Sequence, residues 1–306
     1  MWLYRLLARE GGRGQRRLEV PRSPDGTRVT GDVKWAHDKK PLSPRSVQLV
    51  AIIVSRALRY AVEQGKLPVN PADAIPEDDR PTAPAKKHAD RVWTPDEARG
   101  FLAHVADDRL HPLWHLALSI GARRGELAAL RWSRVELQPP NGAPFLRIEA
   151  NRVMVGAQVL EGTPKSVKSR RRVNLDAATV AVLERWRETQ GLEASVAGEA
   201  WEGGDDPYVF TNELGRALHP DAISNRFEAA QRGAEVPRIP MHGLRHTAAT
   251  LALKAGVPVH VVSDLLGHSS VSVTWDVYGH VLEDQRSDAA DAIGAQLAPL
   301  ELEAEG

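Results

Sequence analysis

The stretch SIGARRGELAALRW, residues 119–132, sets two glycines, two arginines and a glutamate in front of an apolar run. Arg123 and Glu126 stand three apart, the spacing that puts two side chains on one helical face. A surface ion pair at that spacing is common and contributes about 0–1 kcal/mol. The glycine before the pair and LAAL after it point instead to Arg123 at a helix start, with its partner half buried. A helix is therefore expected over 123–130, behind another over 111–120. Upstream, TPDEA at 94–98 begins the same domain, with Thr94 as cap, Pro95 in the first turn and Glu97 closing a capping box.

Downstream, FLRIEANRVMVGAQVLEGTPKSVKSRRRVNL, residues 145–175, changes to alternating and β-branched residues with turn signals, which predicts a small antiparallel sheet. Its end, EGTPKSVKSRRRVNL, reads as a hairpin whose loop carries Lys165 and whose returning strand is basic. Asp176 should cap a helix reaching about Gln190, and 191–207 reads as a Gly- and acid-rich loop. After a short YVFT strand at 208–211, helices are expected at about 220–232, 242–255, 259–266 and 270–278. The fold class is thus mostly α with a small antiparallel β-sheet (α+β).

Toward the N-terminus, PLSPRSVQLVAIIVSRALRYAVEQGKLPVNP at 41–71 predicts a helix capped by Ser43, begun by Pro44 and stopped at Gly65. Val47, Val50, Val54, Leu58 and Ala61 form its apolar stripe. Arg45, Gln48, Arg56 and Arg59 fall largely off that stripe, where they can face a phosphate backbone or water. WLYRLLAREGG at 2–12 reads as the tail of one more helix, and 11–42 as loop. Between Ile75 and Arg91 the chain is Pro- and charge-rich without an apolar period, a linker signature that includes Lys86 and Lys87. No internal repeat is present.

A length of 306 residues suits two domains, and 42% hydrophobic with 26% charged residues is ordinary for a globular protein. No apolar run approaches the ~18 residues of a membrane span and no signal-peptide pattern begins the chain, so a cytoplasmic protein without a membrane partner is expected. The absence of cysteine excludes disulfides and thiolate metal sites. The net charge of zero hides a polarity: residues 1–180 hold 31 Lys+Arg against 20 Asp+Glu, and 181–306 hold 9 against 20. Such asymmetry suits one region meeting an anionic polymer.

Within MHGLRHTAATLALKAG, residues 241–256, His242, Arg245 and His246 stand at i, i+3 and i+4 on one helical face. Two histidines four apart invite a zinc site. The glutamate that usually follows the first histidine is missing, however, and an arginine between the two would repel a divalent cation. LLGHSSVSVTWDVYGHV at 265–281 then places His268 ten residues before Tyr278, one of 4 tyrosines in the chain. Alone, Tyr278 reads as an ordinary half-buried aromatic. Together these positions offer two arginines, a lysine, two histidines and a tyrosine, with no carboxylate cluster suited to Mg²⁺. Metal-free phosphodiester transfer requires such a set. Two guanidiniums can grip the non-bridging oxygens as negative charge grows. Nearby cations favour the phenolate, a neutral histidine can take its proton, and a lysine can protonate the leaving oxygen.

GARRGEL, HGLRHT, LGHSS and TWDVYGH, in that order and at these intervals, resemble the tyrosine recombinase (phage integrase) family. The likeness covers about 91–282 as a catalytic domain. It extends more weakly over 43–75, which is similar to the end of the family's helical core-binding domain. By that resemblance Arg123 is the first catalytic arginine, Lys165 the hairpin lysine with Lys168 as a nearby competitor, and His242 with Arg245 the His-x-x-Arg pair. His268 takes the late His/Trp position and Tyr278 is the nucleophile. Glu126 orients the arginine box, and His280 has a supporting structural role. Arg45, Arg56, Arg59, Lys86, Lys87, Arg170 and Arg171 are expected on DNA. Ile120 and Asn174 depart from the frequent Thr and Pro without touching a catalytic role.

The resemblance implies a partial, N-terminally short core-binding domain at 1–75, a linker at 76–91, the catalytic domain at 92–282, and a tail at 283–306 that packs on a neighbouring subunit. It implies a site-specific recombinase working through a 3′-phosphotyrosine without cofactor, metal or ATP. Double-stranded DNA, a homotetramer and an accessory DNA-bending or directionality factor are the implied partners, in a prokaryotic-type cytoplasm. Two other readings fit the same residues: a truncated remnant that only binds DNA, and a metal-dependent nuclease using the histidines.

Overall fold

The computed structural model of the chain describes residues 42–82, 91–163 and 169–283. The polypeptide divides into two compact units, Met1–Lys87 and His88–Gly306. In the first, α1 (Pro44–Glu63) begins where the Ser43 hydroxyl accepts the Ser46 backbone N–H at 3.1 Å. Val47 is buried, and the rest of the expected stripe is half-buried. The fragment at 2–12 and the tail at 284–306 lie outside the described residues, as do Lys86 and Lys87.

In the second unit, α2 (Pro95–His104) carries both halves of the predicted capping box: Glu97 N–H to Thr94 Oγ1 at 3.2 Å, and Thr94 N–H to Glu97 Oε2 at 2.7 Å. Next come α3 (His111–Ile120) and the short α4 (Arg124–Ala129). The core is centred on four rings, with Trp93–Phe101 at 4.8 Å, Phe101–Phe227 at 5.6 Å and Trp114–Phe227 at 5.5 Å between centroids. Each such side chain, fully buried, stabilises by about 1.5–3 kcal/mol. Trp93 also donates its backbone N–H to Thr247 Oγ1 at 3.1 Å and its indole N–H to the Pro237 carbonyl at 2.7 Å. The entry to the unit is thereby fastened beside α7 (Met241–Lys254), which follows α6 (Pro220–Ala230).

Strands 135–174 form two sheets, not one. β1 (Val135–Glu136), β2 (Phe145–Ile148) and β5 (Arg171–Asn174) make a three-stranded antiparallel sheet in the order β1-β2-β5. Leu146 is opposite both Val135 and Val173, and all three are buried. β3 (Asn151–Val155) pairs with β4 (Gln158–Gly162) around Gly156, which takes a φ of 62°. Among the described residues β4 and β5 do not pair with each other, so the hairpin expected over 161–175 is not formed by them, and its loop lies outside the described residues. A local two-residue turn captures β4 for β3, and the buried Val173 carries β5 to β2.

Two more expectations change. α5 (Ala177–Ala197) continues past Gln190 into the first part of the predicted loop, where Glu193 accepts two hydrogen bonds from Arg109, at 2.5 and 2.6 Å. YVFT makes only single bridges, Tyr208 to Arg131 and Thr211 to Ala217. Side chains take its carbonyls in place of a strand: Trp186 Nε1 donates to Val209 O at 2.5 Å and Gln190 Nε2 to Tyr208 O at 3.1 Å. Finally α8 (Val259–Leu266) ends at Gly267, and α9 (Val271–Glu283) runs beyond its expected end, so Tyr278 sits within a helix. No described helix is long and apolar enough to cross a membrane.

Candidate active site

The two glycines of GARRGEL are fixed by close approach. Gly121 caps α3 at φ 61°, and a Cβ there would stand 2.6 Å from Leu266 Cδ2. A Cβ on Gly125 would stand 2.5 Å from the Arg152 carbonyl and closer still to the Asn151 side chain. α4 is thus pressed onto β3 on one side, while the turn before it meets α8. Arg123 occupies the N-cap between them.

Glu126, 2% exposed, is the anchor of this corner. One carboxylate oxygen accepts the Arg123 backbone N–H at 2.9 Å and the other accepts Arg123 Nη1 at 2.8 Å. Arg171 on β5 reaches the same carboxylate with both η nitrogens, at 3.2 and 2.9 Å. Burial alone would push this carboxyl up, but the guanidiniums of Arg171 and Arg123 outweigh it and hold Glu126 below its ordinary value.

The C-terminus of α8 completes the corner. A helix end leaves its last carbonyls without intrahelical partners and carries partial negative charge. Gly267, at φ 65°, ends α8 so that these carbonyls meet three arginines. Arg171 Nε donates to Leu265 O at 2.6 Å, Arg245 Nη2 to Leu266 O at 2.7 Å, and Arg123 Nη1 to the same Leu266 O at 3.5 Å. Arg123 Nη2 donates to Gly267 O at 3.3 Å, and Arg245 Nη1 to Gly121 O at 2.8 Å. Arg123 and Arg245 therefore share one carbonyl oxygen. Burial, then the positive charge of Arg123, pushes Arg245 down to about 9, which leaves it cationic at neutral pH.

His268 follows directly. Its Nδ1 is 2.7 Å from the hydroxyl of Thr274, a fully buried residue, which fixes the ring. Burial and then the charges of Arg245, Arg123, Arg171 and His242 push His268 down to about 4, so it is a neutral imidazole at pH 7. On α7, His242 is exposed and His246 half-buried, with ring centroids 4.8 Å apart, edge to face. His246 Nδ1 lies 2.7 Å from the Tyr278 hydroxyl. The Tyr278 ring, 3% exposed, is seated among Ala249, Leu253, Val262 and Leu266.

Arg123 and Glu126 at the start of α4, Arg245 on α7, His268 in the turn after α8 and Tyr278 on α9 are thus gathered. The other described tyrosines differ: Tyr60 is exposed, and the Tyr208 hydroxyl donates to Glu161 at 2.5 Å, its phenol pushed up by burial and by that carboxylate. Lys165 and Lys168 lie outside the described residues, and so does the side chain of His280. Arg171 is a correction to the sequence reading. It was expected on DNA, yet its side chain is 6% exposed and spent on Glu126 and the Leu265 and Ser169 carbonyls. Arg170 beside it is exposed, lining a cavity of about 470 Å³ with Glu149 and Glu161. Arg45 and Arg56 are exposed on α1, and Arg59 is exposed with Asp73 3.5 Å away. His246 was not among the expected catalytic residues. Its spacing from His242 was visible, but it suggested only a metal.

A profile of the phage integrase family matches residues 91–285. The chain belongs to that family. Among curated relatives, a tyrosine recombinase XerC-like protein of Caldanaerobacter subterraneus subsp. tengcongensis is 28% identical over 263 residues, covering 82% of this chain and 66% of its own. An integrase of Streptomyces ambofaciens is 30% identical over 260 residues, covering 80% of this chain and 62% of its own. The chain therefore spans somewhat under two thirds of the length of these relatives. Among solved structures, the Tn1549 transposon integrase in complex with transposon right end DNA superposes with a TM-score of 0.64 at 19% identity, over 84% of this chain and 81% of that one. That likeness establishes a shared fold for this family member, α-rich with small antiparallel sheets.

Proposed function

We propose that this integrase-family chain is a site-specific DNA recombinase that cuts and rejoins double-stranded DNA through a 3′-phosphotyrosine, without metal or ATP. The observation that carries the reading is the pair of guanidiniums, Arg123 and Arg245, on the one carbonyl of Leu266. Two planar cations held this close against a helix C-terminus form a fork for the two non-bridging oxygens of a phosphodiester. Arg123 and Arg171 on the single carboxylate of Glu126, with Arg245 on the Gly121 and Leu266 carbonyls, leave two positive charges over, the amount the pentacoordinate transition state would match. His268 adds a hydrogen bond to a non-bridging oxygen. Tyr278 attacks, and His242 assists proton transfer with it. Lys165 protonates the departing 5′-oxygen, and the energy of the broken bond stays in the phosphotyrosine.

In this reading α1 belongs to a core-binding domain that reaches DNA through Arg45, Arg56 and Arg59, joined by the linker at 76–91 with Lys86 and Lys87. Arg170 contacts DNA beside the site, and His280 supports α9. A homotetramer holds the exchanging strands, with an accessory bending or directionality factor, in a prokaryotic-type cytoplasm. The segment 284–306 of a neighbouring subunit would cover the exposed Val261, Val273 and Trp275 of α8 and α9.

The test is capture on a pool of nicked suicide duplexes with randomised cores, run in EDTA. A covalent protein–DNA adduct that disappears in Tyr278→Phe is the expected result. Binding without any adduct would mark a DNA-binding remnant, and cleavage abolished by EDTA a metal-dependent nuclease.

A further inference from the structure

We propose that His246 is a catalytic residue: its Nδ1 is the atom that takes the proton of the Tyr278 hydroxyl during cleavage and returns it during rejoining. The inference rests on the recombinase reading above and adds a role for a side chain that reading does not use. A hydroxyl 2.7 Å from an imidazole nitrogen is already at proton-transfer distance, with no motion required to reach it. His242 is the exposed member of the pair and meets His246 edge to face, whereas His246 is the ring placed against Tyr278.

The fold also holds this geometry from both ends. Tyr278 is seated among Ala249 and Leu253 of α7 and Val262 and Leu266 of α8, so its ring is placed by packing. Thr247, next to His246 in sequence, is fully buried and accepts the Trp93 backbone N–H. That bond ties this turn of α7 to the aromatic core. A general base on a rigid helix, facing a nucleophile on a packed neighbouring helix, is pre-organised in the way catalysis requires.

The step balances as follows. The proton leaves Tyr278 Oη for His246 Nδ1 as the Oη–P bond forms. The P–O5′ bond breaks with its electron pair on O5′, which is protonated by the general acid. On rejoining, the 5′-hydroxyl attacks phosphorus and gives its proton back to the now deprotonated general acid, the P–Oη bond breaks, and His246 gives its proton back to Oη. Accepting at Nδ1 requires the neutral ring to carry its hydrogen on Nε2.

Two measurements test this. First, ¹⁵N NMR of the full chain without DNA should show His246 as the Nε2–H tautomer, with the Nδ1 resonance moving in Tyr278→Phe. A ring protonated on Nδ1 would overturn the proposal. Second, single-turnover adduct formation is followed on a nicked duplex recovered from the randomised pool by the wild-type protein. His246→Ala should slow it by about 10²–10³-fold, within the range of general acid–base catalysis. Added imidazole should restore part of that rate. His246→Asn, which keeps a hydrogen-bonding group near the Nδ1 position but no usable base, should stay slow. Asn activity within about threefold of wild type would reduce His246 to a positioning residue and overturn the claim. If wild type captures no duplex although the NMR tautomer is as expected, the recombinase reading fails and the proton-transfer role falls with it.

Discussion

Two buried regions of the second unit solve opposite problems. Around Trp93, Phe101, Trp114 and Phe227 the chain removes apolar surface from water, and there the tolerance for error is wide: the indole N–H of Trp114 is buried without a hydrogen-bond partner. Around Glu126 it buries Arg171 and Arg245 and half-buries Arg123, and there each guanidinium is held by carbonyls. A neutral donor left unpaired costs about 1–3 kcal/mol, whereas an ion left unpaired costs several times more. The difference explains why so many backbone carbonyls, from Leu265, Leu266, Gly267, Gly121 and Ser169, are committed to three side chains. Local dipoles make a surplus of positive charge tolerable.

The comparison is broken hardest at Arg245. Arg245→Ala should lower the rate of adduct formation by about 10³-fold, the upper cost of removing one preorganised transition-state donor. Arg245→Lys should recover little of it, because an ammonium cannot span the Gly121 and Leu266 carbonyls and still offer a planar fork. A lysine variant within tenfold of wild type would show that the fork geometry is not what matters.

Arg171 and its neighbour Arg170 separate structure from contact on adjacent residues. Arg171→Ala leaves Glu126 buried with half its counter-charge and should destabilise the fold by about 3 kcal/mol in urea titrations. Arg170→Ala removes an exposed side chain and should stay within about 0.5 kcal/mol. Equal effects would mean that the Glu126 carboxylate is satisfied by Arg123 alone.

Acid gives a smaller effect. His268 is pushed from an ordinary 6.5 down to about 4, so the unfolded chain binds its proton first as pH falls. Its contribution is fully present above pH 6.5 and is lost between 6.5 and 4. Burial lowers His111 and His115 in the same direction. Melting temperature should therefore decline across that window, and less steeply in His268→Gln. An unchanged slope would place the acid sensitivity on α3 instead.

Much of this was legible in the sequence because much of it is local. Ser43, Thr94 and Asp176 cap helices through atoms two or three residues away, and such signals survive without tertiary information. The pairing of β4 and β5 was not legible, since alternation states that a segment is a strand but not which neighbour it takes. Nor was the length of α5, whose end meets Arg109 through Glu193 across 84 residues. Positions 123, 126, 242, 245, 268 and 278 could be picked out by motif. The burial of Arg171 and the contact of His246 with Tyr278 could not, because both follow from how α7, α8, α9 and β5 pack.

The smallest effect sharpens the aromatic side of the comparison. Trp93 and Trp114 are 1% and 0% exposed, and both rings pack on Phe227. They differ in one respect: the Trp93 indole N–H is bonded to the Pro237 carbonyl, while that of Trp114 has no partner. Replacing either by Phe removes similar apolar contact and leaves a similar cavity. Trp93→Phe additionally strands a carbonyl, whereas Trp114→Phe removes a donor already costing about 1–3 kcal/mol. Trp93→Phe should therefore be the more destabilising by about 1–2 kcal/mol, read as the difference in urea midpoints at constant m. Equal losses from the two variants would mean that the Trp114 donor is satisfied in solution.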